Sequence, residues 1–182
     1  LSDIEHYSVI TVISFYANFA VTYHNIQAAA AAGLFVGLNY AGQITANLII
    51  GTLNLFSMKT KCIIGRMCSI SAVTLLITSS GLPVFLTASI LLGFSKAIRS
   101  LVYPAAVKSI TGKSDVSGHF AAASILLLPL SMGIPLISGR MLDILLFLGG
   151  DAYRIVFGFM GLISALTILF IVRINFNRTA PA

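Results

Sequence analysis

Two positively charged residues, Lys96 and Arg99, lie inside a long apolar stretch of the sequence at residues 83–107. At the centre of a membrane helix, each such charge costs about 2.5–3.5 kcal/mol on insertion scales. Tyr103 follows four residues after Arg99, and this spacing places the three side chains on one helix face. Charges at this depth usually face a bundle interior or a water-filled cavity, so the face predicts a site that binds a negatively charged partner.

The sequence offers these two cations no obvious partner. The acidic residues all fall in predicted flanks or loops, and they are Asp3, Glu5, Asp115, Asp143 and Asp151. Because a helix rises only about 1.5 Å per residue, we expect none of these carboxylates to reach the bilayer centre. Three interpretations stay open: a salt bridge to a carboxylate outside this chain, recognition of an anionic solute, and snorkelling of Arg99 toward water.

The composition indicates a membrane protein. Of the 182 residues, 58% are hydrophobic and only 9% are charged, and the mean hydropathy is +1.00. Soluble domains carry about 25% charged residues. The formal charge of +6 does not indicate nucleic-acid binding, because Lys and Arg accumulate in cytoplasmic loops of membrane proteins. The expected surroundings are therefore a lipid bilayer, and the expected fold is an all-α, polytopic membrane protein.

The hydrophobic pattern predicts six transmembrane helices. They cover residues 7–24, 29–56, 62–80, 83–107, 120–142 and 155–172. Pro129 and Pro135 lie within the fifth helix and predict a kink or a locally unwound turn. Seven cations near the helix ends fall on one side of the membrane, the first three of them in a predicted short basic loop after the second helix: Lys59, Lys61, Arg66, Lys108, Lys113, Arg173 and Arg178. Only Arg140 and Arg154 fall on the other side, so we expect both termini in the cytoplasm of a plasma or inner membrane.

Two further polar stripes lie on otherwise apolar helices. In the first helix, Thr11, Ser14 and Asn18 recur at spacings of three and four residues. In the second helix, Asn39 and Gln43 begin an amide ladder with a spacing of four. Polar faces are costly in lipid, so both stripes should turn inward. They either form hydrogen bonds between helices or line a substrate cavity.

The end of the second helix resembles a known loop signature. The sequence Gly51-Thr-Leu-Asn54-Leu55-Phe-Ser-Met58-Lys59-Thr-Lys61 resembles G-x-x-x-D-[RK]-x-G-[RK]-[RK] of the major facilitator superfamily. Gly51 and Lys59 match the signature, whereas Leu55 and Met58 replace its acidic residue and second glycine. The stretches Leu91-Leu92-Gly93-Phe94 with Tyr103-Pro104-Ala105, and Gly133-Ile-Pro135 with Gly139-Arg-Met-Leu-Asp143, are similar to the tenth and eleventh helices of that family.

This resemblance implies the C-terminal half of a twelve-helix secondary transporter, a symporter or antiporter. Such a half consists of two three-helix repeats, and an N-terminal six-helix half would precede Leu1. The first and fourth helices of each half line the central cavity in that family. The implied substrate-binding residues are Lys96, Arg99, Tyr103, Thr11, Ser14, Asn18, Asn39 and Gln43, and the implied gating loop contains Gly51, Asn54, Lys59 and Lys61. The substrate would be a small solute, and an anionic one if the cations bind it.

Other functions have less support in the sequence. The three histidines, His6, His24 and His119, lie at predicted helix ends, and no hydrolase or metalloprotease motif is present. We therefore expect neither an enzyme nor a metal site or cofactor. The remaining alternative is a subunit of a six-helix channel or a scaffold without carrier activity. Flux through a channel does not saturate, whereas a carrier saturates and exchanges its substrate across the membrane.

Overall fold

The computed structural model describes residues 2–53, 56–111 and 117–173. Every regular element in these ranges is helical. Six long helices follow one another, numbered here in chain order: α1 (Ser2–His24), α2 (28–52), α3 (Met58–Thr78), α4 (Leu82–Thr111), α5 (Ser117–Ile144) and α6 (Gly150–Arg173). A short 3₁₀ turn, Leu146–Leu148, separates the last two. The predicted all-α fold with six helices is confirmed.

Local residue chemistry explains several helix ends. Asn25, which follows α1, has a positive φ of 53°, a conformation that asparagine tolerates better than most residues. Ser57 precedes α3, and its side-chain oxygen accepts a hydrogen bond from the Thr60 backbone N–H at 3.2 Å. Gly81 has a φ of 106° in the short turn between α3 and α4. Only glycine adopts this value without strain.

Several helices extend beyond their predicted bounds. α1 begins at Ser2 rather than residue 7, and α4 continues to Thr111 rather than residue 107. The apolar pattern detects only the lipid-matched part of a helix, whereas backbone hydrogen bonds continue into the polar flanks. Of the two alternatives predicted for α5, the locally unwound turn is wrong, because the helix continues through Pro129 and Pro135, and the kink stays a prediction. A proline removes one backbone hydrogen bond, and the remaining hydrogen bonds maintain the helix on both sides of it.

Five of the six helices, α2 to α6, are long and apolar enough to cross a membrane. The chain is therefore a multi-pass integral membrane protein. α1 does not reach that apolarity, although the sequence predicted it as a sixth span. It contacts all five other helices, so several of its polar residues are sheltered by protein rather than lipid. Glu5, Ser8 and Thr11 are all buried on this helix.

The closest approach between helices brings α2 against α4. A Cβ added to Gly93 would lie 1.9 Å from the Asn39 carbonyl oxygen, and one added to Gly42 would lie 2.2 Å from the Ile90 carbonyl oxygen. Each helix thus contributes one glycine that admits the backbone of the other. Next to this crossing, an aromatic core joins α1, α4 and α6 through Phe19, Phe85 and Phe157.

The fifth helix is the least packed. α5 contacts mainly α1 and α6, and its most apolar stretch contains no buried residue. Ile125 and Leu126 are 75% and 76% exposed. Ser138 and Leu142, near the C-terminal end of α5, are its buried residues. The outer face of α5 is therefore available to lipid or to another protein surface.

Candidate functional site

The charged residues near the start of α1 meet the cations of α3 and α4. Because α1 begins at Ser2, its first turn carries Asp3 and Glu5 as helical residues rather than as a flexible flank. Arg66 lies eight residues into α3, or about 12 Å along its axis, and not in the basic loop as predicted. We name Asp3, Glu5, Arg66, Lys96 and Arg99 the charged cluster.

The inner pair of the charged cluster joins α1 to α3. The Glu5 carboxylate Oε2 accepts an ion-paired hydrogen bond from Arg66 Nη1. The two side chains are only 1% and 6% exposed. Both charges are removed from water, so their mutual attraction must offset a large desolvation cost, and removing either partner would leave the other buried charge without this ion pair. The second oxygen of Glu5, Oε1, has no hydrogen-bond partner in the described part of the chain.

The outer pair joins α1 to α4. Arg99 Nη2 donates to Asp3 Oδ1, and the two side chains keep 15% and 20% of their surface exposed. The Arg99 guanidinium also lies over the Tyr103 ring, 5.0 Å from its centroid, in a cation–π contact. The expectation that no carboxylate of this chain reaches Arg99 is therefore wrong. Asp3 reaches it because α1 begins early and Arg99 lies about 18 Å before the end of the long α4.

Lys96 completes the cluster without a carboxylate of its own. It is half-buried, and it forms no ion pair or hydrogen bond with any residue in the described ranges. The charges of Lys96 and Arg99 both act on the nearby His6 imidazole. Lys96 and Arg99 are three residues apart on α4, so they share the helix face predicted from the sequence.

The predicted polar stripe of α1 divides into two environments. Thr11 is fully buried and its hydroxyl donates to the Tyr7 carbonyl oxygen at 2.7 Å. Ser14 and Asn18 are exposed, and the Asn18 amide donates to the Tyr153 hydroxyl at 2.6 Å. Thr11 therefore belongs to the packed interior. Ser14 and Asn18 remain on an open face of α1, where the predicted cavity wall would lie.

The amide ladder of α2 is part of a hydrogen-bond network between helices. Asn39 is buried, and its amide donates to the Ser89 carbonyl oxygen on α4 at 3.3 Å. Gln43 donates to the Asn39 side-chain oxygen at 2.9 Å. The Ser89 hydroxyl lies 2.9 Å from the Tyr16 hydroxyl on α1. Asn39 thus turns inward as predicted, and its described contacts bond α2 to α4.

One residue of the implied gating loop, Lys59, contacts the end of α6. Lys59 Nζ donates to the Val172 carbonyl oxygen at 2.7 Å, so it caps the negative end of that helix. Gly51 packs against the Leu101 side chain of α4, where an added Cβ would meet it at 3.3 Å. Lys61 is half-buried, and Asn54 falls outside the described residues.

Sequence reasoning missed the pair of Glu5 with Arg66 and the contact of Tyr16 with Ser89. Arg66 alone carried a usable signal, because a cation two turns into an apolar helix requires a buried partner. Neither tyrosine nor serine is unusual in a membrane helix, so nothing in the sequence singled out the Tyr16 contact.

The described residues contain no group of three or more His, Cys, Asp or Glu side chains that could hold a metal ion. The chain matches no protein-family profile, no curated protein and no solved structure. What the charged cluster can do follows from its geometry: it holds three helix segments together by ion pairs and leaves one cation, Lys96, in partial contact with the surroundings.

Proposed function

We propose that the chain is the C-terminal half of a secondary transporter of the major facilitator type. Its six helices would form one of two bundles that rock against each other around a central site, so that the site opens to each side of the membrane in turn. In this proposal both termini are cytoplasmic, and an N-terminal six-helix half supplies the other wall of the site.

The observation that carries this proposal is the pattern of helix neighbours. α1 packs against α5 and α6, and α4 packs in the corresponding way against α2 and α3. Exchanging the first three helices with the last three converts these pairs into one another, whereas the smaller contacts of α1 with α2 and α3, and of α5 with α6, have no counterpart of that size. α3 packs against α6, and α1 against α4, in either arrangement. Such an exchange is what two related three-helix units would produce.

The positions of the polar residues add support. Four of the five residues of the charged cluster, all but Arg66 of α3, and the open polar face of α1 lie on the first and fourth helices, which are the helices expected to line a central cavity. Gly33 and Gly37 of α2 are exposed, and added Cβ atoms there would meet nothing within 4 Å. Small residues on an open helix face allow another helix to approach closely, which suits an interface with a second bundle.

Two measurements test the proposal. The reading frame upstream of Leu1 should encode six more apolar spans, and a frame without them would contradict the assignment as a half-transporter. The full-length protein in liposomes should show saturable flux of its solute that accelerates when unlabelled solute is placed on the opposite side. Linear, unstimulated flux would instead support the alternative of a channel subunit.

A further inference from the structure

We propose that Lys96 and Arg99 bind a single, singly charged anionic group, a carboxylate or a phosphate diester, on the solute that this protein carries. The assignment to a transported solute rests on the function proposed above. The anion-binding site itself rests on the charge balance, exposure and free donors of the charged cluster.

The net charge of the charged cluster indicates how many negative charges the ligand carries. The cluster contains two carboxylates, Asp3 and Glu5, and three cations, Arg66, Lys96 and Arg99. With His6 neutral, one positive charge is in excess, and Lys96 is the cation without an ion pair in the described ranges. A half-buried excess charge is costly, and one negative charge on a ligand would offset it.

Exposure decides where a ligand can enter. The pair of Glu5 with Arg66 is sealed, at 1% and 6% exposure, whereas Asp3 and Arg99 keep 20% and 15%. Surrounding molecules can therefore reach the outer pair but not the inner one. An anion that enters here meets Lys96 and Arg99 and competes with Asp3 for the guanidinium.

Arg99 has a donor left for such a ligand. Among the described residues, its hydrogen bond to Asp3 uses Nη2 alone. The buried Nε is closed to a ligand, so the donors open to an anion are the N–H groups at the partly exposed end of the guanidinium. A guanidinium presents its donors as a planar fork that fits the two oxygens of a carboxylate or phosphate. Lys96, one turn earlier on α4, adds three more N–H donors from an ammonium group. Asp3 thus occupies part of Arg99 and leaves part of it for the anion.

The test measures anion binding by the full-length protein in a neutral detergent. The probes are acetate and dimethyl phosphate, both singly charged, added at constant ionic strength against sodium chloride, and the readout is the shift in melting temperature. The variants change the excess charge in steps: Lys96→Gln removes it, Asp3→Asn doubles it, and the double variant returns it to the wild-type value. Lys108→Gln is the matched control, because Lys108 is an exposed lysine of the same helix.

We expect Lys96→Gln to weaken anion binding by about tenfold and Asp3→Asn to strengthen it by about tenfold, because each step changes the local charge by one unit. The double variant should bind within about threefold of wild type, and Lys108→Gln should not differ. A purely structural role of Asp3 would not increase binding when Asp3 is removed. Unchanged anion binding in Asp3→Asn would overturn the proposal. This measurement decides the question even if the Lys96→Gln protein does not accumulate.

Further outcomes separate this inference from the transporter proposal. Anion affinity could change with each charge step while the flux is linear and unstimulated. This result would support the anion-binding site and refute the proposed transporter function. Saturable, exchangeable flux with no anion response in any variant would keep the carrier and refute the site. Stabilisation by phosphatidylglycerol in mixed micelles, with no response to either soluble anion, would assign the site to lipid headgroups and refute the assignment to a solute.

Discussion

Gly93 lies at the closest approach of α2 and α4, and its replacement by alanine should force these two helices apart. The new Cβ would lie 1.9 Å from the Asn39 carbonyl oxygen, whereas ordinary contact begins near 3.4 Å. The obstructing atom belongs to backbone, so no side-chain rotation can relieve the overlap. A separation of roughly 1.5 Å would be needed along a packed interface.

The cost of this separation can be estimated from the contacts it disturbs. Overpacking a well-packed interface costs about 1–3 kcal/mol. The hydrogen bond from the Asn39 amide to the Ser89 carbonyl oxygen, already 3.3 Å long, would be lost, at about 1 kcal/mol. The higher helix propensity of alanine offsets about 0.5–1 kcal/mol of this destabilisation. The net destabilisation should be about 2 kcal/mol, which lowers the melting temperature by about 4–8 °C.

Thermal unfolding of the purified protein in detergent, followed by circular dichroism, measures this effect. Gly42→Ala should be destabilised in the same way, because its Cβ would meet the Ile90 carbonyl oxygen at 2.2 Å. Gly133→Ala on α5 is the control, since an added Cβ there meets nothing within 4 Å. If Gly93→Ala melts within about 1 °C of wild type, the close backbone crossing of α2 and α4 is refuted.

Three further predictions concern the ion pair, the hydrogen-bond network and the orientation. Glu5→Gln should lower the unfolding free energy by about 3–5 kcal/mol, because it removes the carboxylate that neutralises the buried Arg66 charge, and adding Arg66→Met should recover much of the loss in yield and melting temperature. A fully stable Glu5→Gln protein would contradict the buried pair. Tyr16→Phe should cost about 1 kcal/mol by breaking its hydrogen bond to α4, and an unchanged melting temperature would argue against that contact. A reporter that works only in the cytoplasm should be active after Arg178 and silent at Gly81, and the reverse result would invert the predicted orientation.

Much of the fold could be predicted from the sequence because lipid imposes a simple rule on it. A segment that crosses the bilayer must be apolar along its length and must satisfy its backbone hydrogen bonds internally, so helices can be located from composition alone. The inward position of Asn39 also followed, because a buried amide requires a protein partner. The same rule identified Lys96 and Arg99 as residues with a special environment, before any helix neighbour was known.

The partners of those charges were decided only by the tertiary structure. Asp3 and Arg99 are separated by 96 residues, and nothing in the sequence states that α1 begins at Ser2 or lies beside α4. Hydrophobic patterning measures the match of a segment to lipid, so it is insensitive to a polar turn that extends a helix beyond that match. Pairing between helices depends on rotation, depth and neighbour order together. Each of these is set by side-chain packing across the whole bundle, so it cannot be read from a local stretch of sequence.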